Sequence, residues 1–229
     1  MNNILYIGSG KSVNYINHID LSEYLVVGVN NTWQLFAENK QRMDVWIHTG
    51  DYVGKKPDKN HVNIGRIVSY EEYSQAVLNI AKKLAWDTTT PWFYAGYTIF
   101  FQGLYWVMDE LQPKKISLLG FDHDYNPQKV DKWIANNCPA PNNKYNNTVH
   151  SNKDVDEWCN AFFTDMEPDA FYGHGTPDPL RLDKELIRQK FEVAKKSAYD
   201  LHINLVNISP IETDINTIQK EPMIFGEMN

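Results

Sequence analysis

Residues 4–12 read Ile4-Leu5-Tyr6-Ile7-Gly8-Ser9-Gly10-Lys11-Ser12, a short apolar run that stops at a pair of glycines. Such a run is typical of a buried strand that enters a tight turn. Two more apolar runs, over 24–29 and 44–47, also end in polar residues, Asn30-Asn31-Thr32 and His48-Thr49-Gly50-Asp51. Because open parallel sheets bind ligands outside the carboxyl ends of their strands, this order predicts an α/β fold with a site at those ends.

The rest of the chain alternates predicted helices with predicted strands. Apolar residues at helical spacing predict helices over 70–85, 98–111, 154–164 and 183–199, and apolar runs predict strands over 115–121 and 203–208. Residues 126–149, rich in Asn and Pro, are interpreted as a lid loop, and the tail after Ile218 as frayed. We expect one domain over 1–229, a Rossmann-like open, mostly parallel sheet flanked by helices, with a lid or acceptor-binding insertion around 126–182.

Composition narrows the class of protein. The chain has 29 Asp and Glu against 22 Lys and Arg, so its overall charge does not favour a nucleic-acid partner. It lacks the ~18–20 consecutive apolar residues of a membrane span and the layout of a signal peptide, which predicts a cytoplasmic protein. Cys138 and Cys159 have neither disulfide-framework density nor metal-ligand spacing, and the seven histidines include no close pair at metal spacing.

The turn after the first predicted strand suits a nucleotide. Its glycines would let the backbone approach a phosphate, and Lys11 would neutralise charge. The full phosphate-loop pattern is broken because Leu5 stands where it needs a glycine. A nucleotide-binding or kinase-like protein that uses Gly8–Ser12 stays an alternative.

A pair of carboxylates follows the predicted strand 115–121. Asp122 and Asp124 have the spacing to hold Mg²⁺ or Mn²⁺ against the diphosphate of a sugar nucleotide. The alternative is structural, with Asp122 bonded to loop backbone and Asp124 solvated. The aromatic residues over 92–106 are interpreted as core.

Taken in order, these motifs resemble the small bacterial sialyltransferases that use CMP-sialic acid and the related motility-associated flagellin glycosyltransferase domains. The similar segments span most of residues 4–210 and are 7–12, 27–30, 45–48, 102–105, 116–122, 149–154 and 207–210. The chain departs from the family pattern at Ser9 and His48, which replace asparagines, and at Phe101-Gln102, which replaces Thr-Ser. The resemblance implies a GT-A-like variant of the Rossmann-like fold.

The resemblance also implies an inverting glycosyltransferase that moves a sugar from a CMP- or UDP-linked donor to an acceptor hydroxyl. His150 would be the general base, and Tyr125 would donate its hydroxyl to the departing phosphate, with help from backbone N–H groups at Gly8–Gly10 and Ser209. The residues expected to contact the donor are Gly8, Ser9, Gly10, Lys11, Asn30, His48, Gln102 and Ser209.

Metal dependence and acceptor follow from the donor chosen. A CMP-sugar donor requires no cofactor, whereas a UDP- or GDP-sugar predicts Mg²⁺ or Mn²⁺ at Asp122 and Asp124. The expected acceptor is a glycan, a protein or a modified nucleobase, and the last defines an alternative function in glycosylating hydroxymethylated DNA. The oligomeric state, including a homo-oligomer, stays open.

Overall fold

Six parallel strands form a single sheet in the order β4-β3-β2-β1-β5-β6. The strands are β1 Asn3–Ile7, β2 Leu25–Val29, β3 Arg42–Ile47, β4 Asn63–Val68, β5 Lys115–Leu119 and β6 Asn204–Asn207. This computed structural model describes residues 3–8, 10–39, 42–49, 57, 62–87, 89, 91–95, 98–121, 184–210 and 216–223. The chain therefore builds outward from β1 to β4 and then crosses back to place β5 on the other side of β1.

The described helices connect these strands. They are α1 Trp33–Asn39, α2 Tyr70–Lys83, α3 Pro91–Ala95, α4 Ile99–Trp106 and α5 Lys184–Asp200, and a π-helical turn, Val107–Leu111, continues α4. Three 3-10 helices, Lys11–His18, Leu21–Glu23 and Asn30–Thr32, complete the set. None of the helices within the described ranges has the length and apolar character needed to cross a bilayer.

Each face of the sheet packs against its own hydrophobic core. Alternate residues of β1 point to opposite faces, so Ile4 and Tyr6 join the core with α2, α4 and α5, while Leu5 and Ile7 join the core with the first 3-10 helix and α1. Burial on both faces explains why β1 reads as a continuous apolar run. The predicted α/β fold with a Rossmann-like parallel sheet is confirmed.

Helix α4 is buried on nearly every side. All its residues except Gln102 are buried, and the aromatic residues interpreted as core, among them Phe100, Phe101 and Trp106, are inside. Gly103 lets the helix lie directly on the sheet, because a Cβ there would stand 2.5 Å from the Tyr6 hydroxyl. The position of α4 is therefore tied closely to that of β1.

Two sequence-based expectations about the sheet edges need correction. Strand β4 was not predicted, because its residues are mostly exposed at the sheet edge and lack a continuous apolar run. The tail after Ile218 is not frayed as far as residue 223: Asn207 N–H donates to Gln219 O at 2.9 Å, and Glu221 N–H donates to Asn207 O at 2.9 Å. These bonds hold the tail along β6, whose exposed edge supplies donors and acceptors.

Candidate functional site

The carboxyl ends of β1 and β5 lie side by side at the point where the strand order reverses. In open α/β sheets this position leaves a crevice in which ligands bind. Here the two strand ends are joined beyond the strands themselves. Gly8 N–H donates to Leu119 O at 2.8 Å, Gly10 N–H donates to Gly120 O at 2.5 Å, and Gly120 N–H donates to Ser12 Oγ at 2.9 Å. We call this set of bonds the glycine junction.

The glycine junction changes the role expected for the Gly8–Ser12 turn. The N–H groups of Gly8 and Gly10 were expected to face a phosphate, but they bond to the backbone that ends β5. The N–H group of Ser209, also expected to help there, donates to Asn207 Oδ1 at 2.9 Å. A phosphate loop instead turns several N–H groups toward its ligand, so this geometry does not support the kinase-like alternative.

The ends of β2 and β3 are joined by side chains. Asn30, which follows β2, adopts a left-handed backbone with φ +47°, and its Oδ1 accepts the N–H of Thr49 at 3.2 Å. Its carbonyl accepts the indole N–H of Trp46 at 2.6 Å. The ring of His48 packs on Trp46 with 4.6 Å between centroids. The structure thus brings Asn30 and His48, two of the predicted donor contacts, to the same strand ends.

His48 is held in a defined orientation. Its Nδ1 lies 2.8 Å from the carbonyl oxygen of Thr49, and a carbonyl can only accept. The proton of the neutral ring is therefore assigned to Nδ1, and Nε2 carries the lone pair.

The first turn of α4 lies beside the ends of β1 and β5. The Tyr6 hydroxyl donates to Phe100 O at 2.8 Å. The ring of Phe121, two residues beyond β5, lies 5.0 Å from that of Tyr6 and 4.3 Å from that of Phe100. Burial raises the pKa of Tyr6 well above its ordinary value, so its hydroxyl stays a neutral donor. These contacts place the N-terminus of α4 at the carboxyl edge of the sheet.

Thr98 occupies the N-cap position of α4 but does not cap it. Its side chain makes no capping bond, only 8% of the residue is exposed, and its hydroxyl has no hydrogen-bond partner. Sequence reasoning missed this residue, although a threonine directly before an apolar helix is a known N-cap signal. Gln102, predicted to contact the donor, is half-buried in the same turn, and its N–H donates to Thr98 O at 3.1 Å.

A buried lysine lies near this turn and was also missed. Lys190 is 2% exposed on the inner face of α5, and burial lowers the pKa of its ammonium. The next residue, Phe191, packs its ring 5.1 Å from those of both Phe100 and Phe101. The sequence signal was a lysine within the apolar stripe of a predicted helix, which is usually read as the edge of the buried face.

The remaining predicted site residues fall outside what the structure describes. These are Ser9, the side chain of Lys11, Asp122, Asp124, Tyr125 and His150, together with the predicted lid and the helix over 154–164. Among the described residues there is no group of three or more His, Cys, Asp or Glu side chains arranged to hold a metal ion.

Comparison of the chain with protein-family models, curated proteins and solved structures finds no match. The family resemblance therefore rests on the order of the chain's own motifs, and the activity it implies is a proposal.

Proposed function

We propose that this protein is an inverting glycosyltransferase that transfers a sugar from a nucleotide-sugar donor to an acceptor hydroxyl. The observation that supports this best is the meeting of Asn30 and His48 at the ends of β2 and β3, next to the reversal of strand order between β1 and β5. Nucleotides bind at this position in sheets of this class.

The nucleoside part of the donor would lie against the ends of β2 and β3. Asn30 Oδ1 is already bonded to Thr49 N–H, so the amide hydrogens of this side chain are its donors toward a base or ribose. The bonds from Trp46 to Asn30 and from His48 to Thr49 fix both side chains before a ligand arrives. Such preorganisation reduces the entropy lost on binding.

The chemistry proposed for the reaction needs one base and one acid. His150 would take the proton of the acceptor hydroxyl as its oxygen forms a bond to the anomeric carbon, while the bond from that carbon to the phosphate oxygen breaks on the opposite face. Negative charge then collects on the departing phosphate, where Tyr125 would donate a hydrogen bond. If the donor carries a diphosphate, Asp122 and Asp124 would hold Mg²⁺ or Mn²⁺ against it.

A donor screen tests the proposal directly. Purified protein is heated with CMP-, UDP- and GDP-sugars, with and without Mn²⁺, because a ligand bound only by the folded state raises the melting temperature. The donor that stabilises the protein is then used in transfer assays. Stabilisation by a CMP-sugar without metal supports the sialyltransferase-like reading, whereas stabilisation only with Mn²⁺ supports a diphosphate donor.

The base assignment has its own variant and control. His150→Ala is expected to remove most transfer and to keep the donor-induced thermal shift. His18→Ala is the matched control, because His18 is an exposed histidine at the end of the first 3-10 helix. Transfer by His150→Ala at the rate of the control would remove His150 from the mechanism.

A further inference from the structure

The N-terminus of α4 is a buried helix end whose N-cap residue leaves it uncapped. The N–H groups in the first turn of an α-helix have no acceptor within the helix. At most N-termini a capping side chain or water satisfies them, yet Thr98 makes no capping bond. The first-turn residues Ile99, Phe100 and Phe101 are all buried. A buried helix end without capping calls for a ligand that supplies acceptors.

A second observation at the same place points to such a ligand. The hydroxyl of Thr98 is shielded from solvent and has no hydrogen-bond partner. Leaving a buried hydroxyl unsatisfied costs about 1–3 kcal/mol, so a group that accepts its proton would recover this stability. Thr98 is the N-cap residue, and its hydroxyl therefore lies at the same helix end as the first-turn N–H groups.

The electrostatics of this region favour negative charge. A helix N-terminus carries a partial positive charge, which acts strongly where water is excluded. The ammonium of Lys190 belongs to the part of α5 that packs on α4 through Phe191. The turn is also held in place, since the Tyr6 hydroxyl bonds to Phe100 O.

We propose that the N-terminus of α4 binds an anionic group of the substrate through the Thr98 hydroxyl and the first-turn N–H groups. The group is a phosphate or carboxylate, because both present several acceptor oxygens and a negative charge. This inference deepens the proposed function and rests on it for the identity of the substrate. It also assigns the anion contacts to α4, since the glycine junction occupies the N–H groups of Gly8 and Gly10.

The test compares Thr98→Val, which keeps the branched shape and removes the hydroxyl, with Thr98→Ser, which keeps the hydroxyl. Calorimetric titrations use CMP as the phosphate probe, N-acetylneuraminate as the carboxylate probe and cytidine as the neutral probe. Thr98→Val is expected to weaken the anionic probe that binds here about tenfold or more and to leave cytidine unchanged, while Thr98→Ser retains the affinity. The anionic probe that responds identifies the source of the charge.

Thermal unfolding without ligand separates binding from a structural role. Because the Thr98 hydroxyl has no partner, Thr98→Val is expected to keep or raise the melting temperature of the ligand-free protein. Ser117→Ala is the control, because Ser117 also has a buried hydroxyl without a partner but lies within β5, and it should not change the affinity for either anion.

The outcomes distinguish this inference from the proposed function. A wild-type protein that binds neither anion, or a Thr98→Val variant that binds both as tightly as wild type, overturns the anion site. A hydroxyl-dependent affinity in a protein that transfers no sugar supports the site and contradicts the glycosyltransferase proposal.

Discussion

Replacing Gly120 with alanine tests the glycine junction at its tightest point. Gly120 has φ +76°, a left-handed conformation, and a Cβ built on it would stand 2.5 Å from Gly8 O and 3.1 Å from Val13 Cβ. Both the backbone conformation and the space therefore oppose a side chain. The neighbouring atom is backbone, which cannot rotate away as a flexible side chain would.

The expected loss of stability has two parts. The left-handed backbone costs an alanine about 1–2 kcal/mol, and forcing an extra carbon into a packed site costs about 1–3 kcal/mol. Gly120→Ala should therefore lower the free energy of unfolding by about 2–5 kcal/mol. Ala85→Gly isolates the first part, because Ala85 is exposed, has φ +52° and follows the end of α2. That variant should gain about 1 kcal/mol.

Urea unfolding followed by tryptophan fluorescence measures both variants against wild type. The dependence of the unfolding free energy on urea should stay unchanged, so that a shift in midpoint reports stability alone. A loss below about 1 kcal/mol for Gly120→Ala, alongside the expected gain for Ala85→Gly, would show that the contact between the two strand ends is not tight.

Three further predictions concern single contacts of the sheet and its helices. Asp44→Ala should cost about 1–3 kcal/mol in urea unfolding, because Asp44 Oδ2 accepts the N–H of Val26 at 2.8 Å and that donor would lose its acceptor. Tyr6→Phe should cost about 0.5–1.5 kcal/mol by the same method, since the carbonyl it leaves still accepts within α4. The pKa of Glu72 is lowered, first by the N–H of Ser69, so its carboxylate stabilises the fold above its ordinary pKa of 4.5, and this contribution is lost as the pH falls through the lowered value. Glu72→Gln should therefore lose less stability than wild type between pH 7 and acid, as judged from urea midpoints across that range.

Several elements were predictable because local pattern and tertiary environment agree. Strand β5 was expected within 115–121 and forms at Lys115–Leu119, since a continuous apolar run suits a strand buried on both faces. Helix α2 was expected over 70–85 and spans Tyr70–Lys83, where Ser69 and Glu72 form a capping box. The segments that agree less well are those whose environment is supplied by distant parts of the chain.

The candidate site was predictable in position but not in its hydrogen bonds. Polar residues after each strand placed Asn30 and His48 at the carboxyl edge, and the structure joins them through Thr49. The glycines of the first turn suggested a phosphate, yet their N–H groups bond to the end of β5. Sequence patterns do not report which of two acceptors, a ligand or a distant strand, will satisfy a given donor.

The sequence alone determined the class of fold and the edge at which its polar residues collect, because strand burial and strand direction follow from local apolar pattern. Only the tertiary structure decided that β5 returns to the side of β1, that Gly8 and Gly120 come into contact, and that Thr98 lies buried at an uncapped helix end. These features depend on residues far apart in the chain, and their hydrogen bonds exist only once the sheet and α4 have packed together.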